Sequence, residues 1–383
     1  MSPAQFLADY WQKRPLLIRG AMPNFSDLLT PDELAGLAMQ DGVSARLVLE
    51  RGGRRPWQLE HGPFSEERLT ALPKSHWSLL VSNVEQWLES GALILDQFSF
   101  VPHWRADDLM VSFAPTGGSV GPHVDSYDVF LLQGMGSRRW QIAEQGDRTL
   151  VSGVDLKILK KFQPDAEWVL ESGDMLYLPP GVAHYGVASA DCMTYSIGFR
   201  APAQRDLLED FYNLPKNLMD LVTTDQMYSD PNLTLQSSPG EITQSALVRV
   251  EDILRAPLAH SDLLGRWFGA HVTRLPGASK EPSRRRMPAE SKLNDLLKSD
   301  RKVWRSDRSR FAFFAPAGAT IYFYVDGDEL AVPQALKPLL EALCATRSNA
   351  GRALAAALPR GKAREQAVLM LRQMLAHGSL YMG

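Results

Sequence analysis

The stretch Gly173-Asp174-Met175-Leu176-Tyr177-Leu178-Pro179-Pro180-Gly181-Val182-Ala183-His184 decides how this chain is read. Gly173-Asp174 and Pro179-Pro180-Gly181 are turn punctuation around a short apolar run. They predict a strand, a tight turn and a second strand whose first polar residue is His184. Upstream, His123-Val124-Asp125 sets an imidazole and a carboxylate two residues apart. If 120–132 is a strand, both side chains leave the same face and point into one cavity. Two imidazoles and one carboxylate are the donors that hold non-haem Fe(II) on one face and leave the other positions open. Because His184 lies 61 residues after His123, it must come from a different part of the fold. A His-x-Asp triplet alone occurs by chance in many proteins; the second motif, in a chain of only eight histidines, gives it meaning.

Outward from these residues, 45–200 is mostly short apolar runs between glycines and prolines. Examples are Leu109-Met110-Val111-Ser112-Phe113, Val129-Phe130-Leu131-Leu132, Trp140-Gln141-Ile142 and Met193-Thr194-Tyr195-Ser196-Ile197. That pattern predicts an antiparallel barrel or sandwich. Ahead of it, Phe6-Leu7-Ala8-Asp9-Tyr10-Trp11 has helical spacing and stops at Arg14-Pro15, before the strand-like Leu16-Leu17-Ile18. Thr30 is the expected N-cap of a helix opened by Pro31. After Arg200 the texture becomes helical over 207–221 and 242–267, then linker-like over 275–289. The last part combines a helix at 291–297, strands Phe311–Phe314 and Thr320–Val325, an Asp326-Gly327 turn and two helices after Pro333. Helix, hairpin and helices in about 100 residues resemble a winged helix. The expected architecture is mixed α+β in three parts: 1–203, a helical region at 204–274, and a winged-helix-like domain at 275–383.

A chain of 383 residues with 45% hydrophobic and 22% charged residues is globular and long enough for two or three domains. A net charge of −3 excludes a chain that mainly coats nucleic acid. Two cysteines, Cys192 and Cys344, leave no disulfide framework and no thiolate zinc site. The amino end lacks a secretory pattern and no apolar run approaches a membrane span, so a cytoplasmic location is expected. Arg284-Arg285-Arg286 and the basic stretch 298–310 around Trp304 invite a nucleic-acid reading, but Asp300 and Asp307 dilute that charge, and direct nucleic-acid binding is not expected.

Arg138 follows His123 by 15 residues, on the strand after Gly134-Met135-Gly136. At the base of a pocket it can hold a carboxylate in bidentate fashion; its neighbour Arg139 keeps a surface position open as the lesser reading. Together His123-Val124-Asp125, the basic residue on the next strand, the Gly173–His184 run and Tyr195-Ser196-Ile197-Gly198-Phe199-Arg200 resemble the JmjC family of 2-oxoglutarate oxygenases. Trp11-Gln12-Lys13-Arg14-Pro15-Leu16, Gly121-Pro122-His123-Val124-Asp125-Ser126-Tyr127-Asp128-Val129-Phe130, Gln133-Gly134 and Gly198-Phe199-Arg200-Ala201-Pro202 are similar to its bacterial ribosomal-oxygenase branch. The likeness is dense over the catalytic half and looser beyond it.

The resemblance implies a double-stranded β-helix, the jelly-roll barrel of cupins, in the first part. It implies that His123, Asp125 and His184 bind Fe(II) and that Arg138 takes the distal carboxylate of 2-oxoglutarate, where many relatives carry Lys. Dioxygen is then the second cosubstrate. Ser112 and Ser196 are candidate cosubstrate hydrogen-bonders, although a hydroxyl bonded to backbone is an equal reading. The implied activity is hydroxylation of an arginine side chain in a large-subunit ribosomal protein, releasing succinate and carbon dioxide. A cationic guanidinium needs acidic or aromatic neighbours, for which Tyr127 and Asp128 are candidates, although a core tyrosine and a surface aspartate are at least as good a reading. A homodimer through the helical region is also implied. Other readings stay open: a histidine hydroxylase, a demethylase, a non-oxidative metal-dependent cupin, or a ribosome-binding adaptor.

Overall fold

The computed structural model describes residues 1–50, 56–214, 216–219, 227–231, 242–259, 261–275 and 286–383. They fall into two units, Met1–Ala201 and Pro202–Gly383.

In the first unit the short apolar runs become strands of two sheets. β1 (Leu16–Ile18), β2 (Ala45–Glu50), β3 (Trp57–His61), β4 (Trp77–Val81) and β5 (Ala106–Ala114) precede the metal motif. Then come β6 (His123–Val124), β7 (Asp128–Gln133), β8 (Ser137–Ala143), β9 (Ala166–Glu171), β10 (Met175–Leu178), β11 (Ala183–Ala188) and β12 (Cys192–Phe199). The larger sheet has the order β1-β10-β7-β12-β5-β4-β2-β3 and the smaller β6-β11-β8-β9. All pairings between these strands are antiparallel. Val129 and Leu131 of β7 and Leu176 and Leu178 of β10 pack with Trp140, Ile142 and Leu170 of the smaller sheet. The two sheets therefore stack on a shared apolar core, the jelly-roll arrangement.

The other face of the large sheet is also covered. Leu109, Val111, Phe130, Leu132, Tyr177, Tyr195 and Ile197 join a core with residues of α1 (Pro3–Asp9), α2 (Pro31–Ala38) and α4 (Glu89–Asp96). α3 (Glu66–Thr70) lies between β3 and β4 in the chain. Burial on both faces explains why β7 reads as an unbroken apolar run over 129–132, while β12, equally buried, alternates apolar residues with Thr194 and Ser196. Thr30 caps α2 as expected, with Glu33 completing a capping box.

The span 120–132 is not one strand. β6 ends at Val124 in the small sheet and β7 starts at Asp128 in the large one. The chain crosses between sheets at 125–127, where the Asp125 carbonyl accepts the Gly181 N–H at 2.8 Å.

In the second unit α5 (Gln204–Tyr212), α6 (Lys216–Met219) and α8 (Ser261–Thr273) share a small core of Leu218, Leu263 and Trp267, while α7 (Gln244–Arg255) buries no residue. A 3-10 turn at Ala256–Ala259, holding Pro257, interrupts the helix expected over 242–267, because proline cannot donate the helical hydrogen bond. α8 presents Gly265 and Gly269 to the rings of Phe314 and Tyr324, where any Cβ would collide. It thereby packs on the meander of β14 (Phe311–Phe314), β15 (Thr320–Val325) and β16 (Asp328–Pro333). The expected divide near 274 is therefore bridged by direct packing.

A second sheet, β17-β13-β18, joins β13 (Lys302–Arg305), β17 (Ser348–Ala350) and β18 (Leu380–Met382). Its edge strands are three residues long, too short to read as strands. After α9 (Glu290–Leu297) and Pro333, three helices follow instead of two: α10 (Lys337–Ala345), α11 (Gly351–Ala357) and α12 (Lys362–His377). Leu221, Arg284 and Arg285 lie outside the described residues. No helix of the described residues is long and apolar enough to cross a membrane.

Candidate active site

Sixty-one residues of sequence collapse to one cross-strand pair: His123 on β6 stands opposite His184 on β11. Their ring centroids are 4.2 Å apart. Asp125 Oδ2 lies 3.8 Å from His123 Nε2 and 3.6 Å from His184 Nε2. Ligand atoms of all three lie within 4.8 Å of one another, and no other His, Cys, Asp and Glu group among the described residues does this. Each imidazole is oriented from behind. His123 Nδ1 donates to the Gly121 carbonyl at 2.9 Å and His184 Nδ1 to the Val182 carbonyl at 3.1 Å. A carbonyl only accepts, so Nδ1 carries the proton and the Nε2 lone pair of each ring is free for a metal. Burial, with His123 beside it, holds His184 well below the ordinary histidine pKa, so it stays neutral. Gly181 completes the frame: at φ +86°, in the turn after Pro179-Pro180, its N–H reaches the Asp125 carbonyl.

The three residues line a cavity of about 520 Å³ between the sheets. Arg138 lines it too, and it is 3% exposed, so it is no surface arginine. Its Nη2 donates to the Gly186 carbonyl at 3.1 Å, its Nε has no partner, and its guanidinium lies 5.1 Å from the Trp140 ring. No carboxylate among the described residues forms an ion pair with it. Burial pushes its pKa down, the mark of a cation short of its counter-charge. Such a group costs several kcal/mol to bury alone, and an anion entering the cavity would offset that.

Ser112 on β5 and Ser196 on β12 also line the cavity; Ser112 Oγ donates to the Thr194 carbonyl at a long 3.4 Å. Tyr127 lines it as well, with Asp125 close enough to raise the phenol pKa after burial has done so. Asp128 is different. It is fully buried, and its carboxylate accepts from Tyr177 (2.6 Å), Gln12 (2.9 Å) and Arg105 (3.1 Å). It ties β7 and β10 to the amino-terminal segment and does not line the cavity, which corrects its nomination as a substrate contact.

Besides Asp125, three acids line the cavity, Asp107, Asp108 and Asp155, and the motif search passed over all of them. The strand period of two was the available signal. Asp108, Met110 and Ser112 alternate along β5 and all three line the cavity, as do Thr194, Ser196 and Gly198 along β12. Burial, then the neighbouring Asp107, push the Asp108 carboxyl up to about 6. Asp107 itself pairs with Arg200 at 2.9 Å.

Known proteins share this arrangement. Residues 93–207 match the JmjC domain. The chain is 39% identical over 271 residues to the ribosomal protein uL16 3-hydroxylase of Escherichia coli, covering 70% of each chain. It is 37% identical over 284 residues to a probable ribosomal oxygenase of Haemophilus influenzae, covering 70% of this chain and 67% of the relative. The E. coli ribosomal oxygenase YcfD, solved with cobalt and 2-oxoglutarate, superposes with a TM-score of 0.83 at 31% identity, covering 100% of this chain and 98% of that one. The chain therefore belongs to the JmjC-domain 2-oxoglutarate oxygenases, in their ribosomal-oxygenase branch.

Proposed function

We propose that this protein is an Fe(II)- and 2-oxoglutarate-dependent hydroxylase of an arginine side chain in a large-subunit ribosomal protein. One observation carries the reading: Arg138, a buried cation without a carboxylate partner among the described residues, opens into the cavity that His123, Asp125 and His184 line. The donor set fits Fe(II), with two imidazoles and one carboxylate on one side and the cavity on the other. The orphaned guanidinium fits the far carboxylate of a dicarboxylic 2-oxo acid. The E. coli relative has been solved with cobalt and 2-oxoglutarate and with cobalt and succinic acid, which supports both assignments.

His123, Asp125 and His184 would hold the iron, and Arg138 the 2-oxoglutarate tail. Ser112 and Ser196, which also line the cavity, would bond the cosubstrate through their hydroxyls. With dioxygen, iron and 2-oxoglutarate supply oxidative decarboxylation to succinate and carbon dioxide and the oxygenation of a C–H bond. The chain supplies position. Leu80, Val129 and Leu131 give the cavity an apolar wall that keeps bulk water out. Asp108 and Tyr127 offer a carboxylate and a ring face to a guanidinium, and the substrate cation in turn stabilises the buried Asp108 charge. A ribosomal protein substrate implies action in the cytoplasm.

We further infer a homodimer through the helical region. Leu247, Val250, Leu254 and Leu258 form a stripe along α7 and the turn after it, 42–55% exposed, and such an apolar stripe needs a partner.

The test is incubation with Fe(II), 2-oxoglutarate and purified large-subunit proteins, followed by peptide mass spectrometry. One arginine should gain a single oxygen atom, and His123→Ala or Asp125→Ala should abolish both this and succinate release. Oxygenation of a histidine instead would sink the arginine assignment; turnover without 2-oxoglutarate would sink the whole reading.

A further inference from the structure

Gly186 belongs to no motif, yet it occupies the point where Arg138 and the metal-ligand strand meet. Arg138 is paired across the strands with Ala188, but its guanidinium folds back and donates to the Gly186 carbonyl, two residues nearer His184. Side chains two apart on a strand share a face, so the missing side chain of Gly186 is on the His184 face of β11. A Cβ there would stand 2.7 Å from Arg138 Nε and 2.6 Å from Trp140 Cζ3. Neither neighbour can give way cheaply: Arg138 is 3% and Trp140 5% exposed. The rest of the seat is the Trp140 ring and the buried Cys192, whose sulfur is within hydrogen-bonding contact of the guanidinium.

Resting on the Arg138 reading above, we infer that Gly186 is a specificity-determining residue that sets the length of the 2-oxo acid. By carrying no side chain it lets Arg138 lie back along β11 towards His184. A strand advances about 3.3 Å per residue, so the Gly186 carbonyl stands about 7 Å along the strand from His184. Two methylenes, together with the keto-acid chelate at one end and the carboxylate–guanidinium contact at the other, span a gap of that order. An alanine would push the guanidinium towards Ala188 and lengthen the gap, to the advantage of a chain one methylene longer.

The full-length protein loaded with Mn(II) should be titrated calorimetrically with 2-oxoglutarate and with 2-oxoadipate. Gly186→Ala is expected to lose roughly ten-fold in 2-oxoglutarate affinity, as suits a displaced charge-assisted contact. It should lose far less for 2-oxoadipate, and Mn(II) binding should stay as in the wild type. An unchanged preference between the two acids overturns the inference. Arg138→Met separates it from its foundation: if that variant loses 2-oxoglutarate while Gly186→Ala keeps wild-type preference, the length gauge fails and the Arg138 assignment survives. If Arg138→Met binds like wild type, both fall. Should Gly186→Ala not fold, Cys192→Ala tests the same seat, with weakened 2-oxoglutarate binding and a narrowed preference expected and wild-type values for both overturning it.

Discussion

Asp108 is where pH and substrate charge meet. Inside the fold its carboxyl holds its proton up to about 6, more tightly than in the unfolded chain. Between the ordinary carboxylate range and pH 6 the folded state therefore binds more protons, and stability falls as pH rises through that window. Asp108→Asn removes the penalty and should raise the melting temperature at pH 7.5. The same change deletes an acid of the cavity wall and should raise KM for an arginine peptide roughly ten-fold or more, the size expected for a hydrogen bond to a charged group. In the wild type, kcat/KM for that peptide should drop as pH falls below about 6. Melting curves and initial rates across pH 5–8 check all three, and a wild-type KM in the variant would remove Asp108 from substrate binding. His123 and His184 were legible because histidine is scarce, eight in the chain, and Asp125 and Arg138 because they stand in or near the same dense motifs. Asp108 was not, since an acid in an Asp-Asp pair looks like solvated surface until β5 is seen to run along the cavity.

Among the elements, β7 carries cavity wall with Val129 and Leu131 and, with Tyr177 of β10, the Asp128 hub. Asp128→Ala would leave Tyr177, Gln12 and the poorly exposed Arg105 without their shared acceptor. Breaking such a buried charge pair costs about 3 kcal/mol or more, so the variant should melt well below the wild type. What remains folded should bind 2-oxoglutarate with the wild-type constant, because Asp128 does not line the cavity. Denaturant melts beside calorimetry separate the two effects; intact stability with lost cosubstrate binding would return Asp128 to the active site. The strands themselves were mostly readable from short apolar runs between turns. The break at 125–127 was not, because a sheet crossing of three residues leaves no mark in apolar periodicity. The edge strands β17 and β18 were missed for a similar reason, since three residues cannot display a period.

Across the whole molecule, charge is unevenly shared. Met1–Ala201 has 24 Asp and Glu against 17 Lys and Arg, while Pro202–Gly383 has 20 against 24. An acidic unit around the cavity suits a basic substrate segment, and its attraction is screened by salt. KM for a basic peptide should therefore rise with ionic strength between 0.05 and 0.3 M while that for 2-oxoglutarate, bound inside, changes little. The exposed stripe on α7 supports the second prediction at this scale. Leu247→Glu with Leu254→Glu should halve the mass seen by light scattering without lowering the melting temperature of the first unit's core. An unchanged mass would show that the stripe is not the dimer contact. The sequence by itself determined the metal-binding donor set and the strand-rich barrel that holds it, and left Arg138 open between the pocket and the surface. Those follow from residue types and from local patterns of turn and strand. Only the tertiary structure decided that Asp108 lines the cavity, that Arg138 is buried there against Gly186, and that Asp128 is a structural hub. Each of these depends on which side of a strand meets which neighbour, and residues distant in the chain settle that by packing.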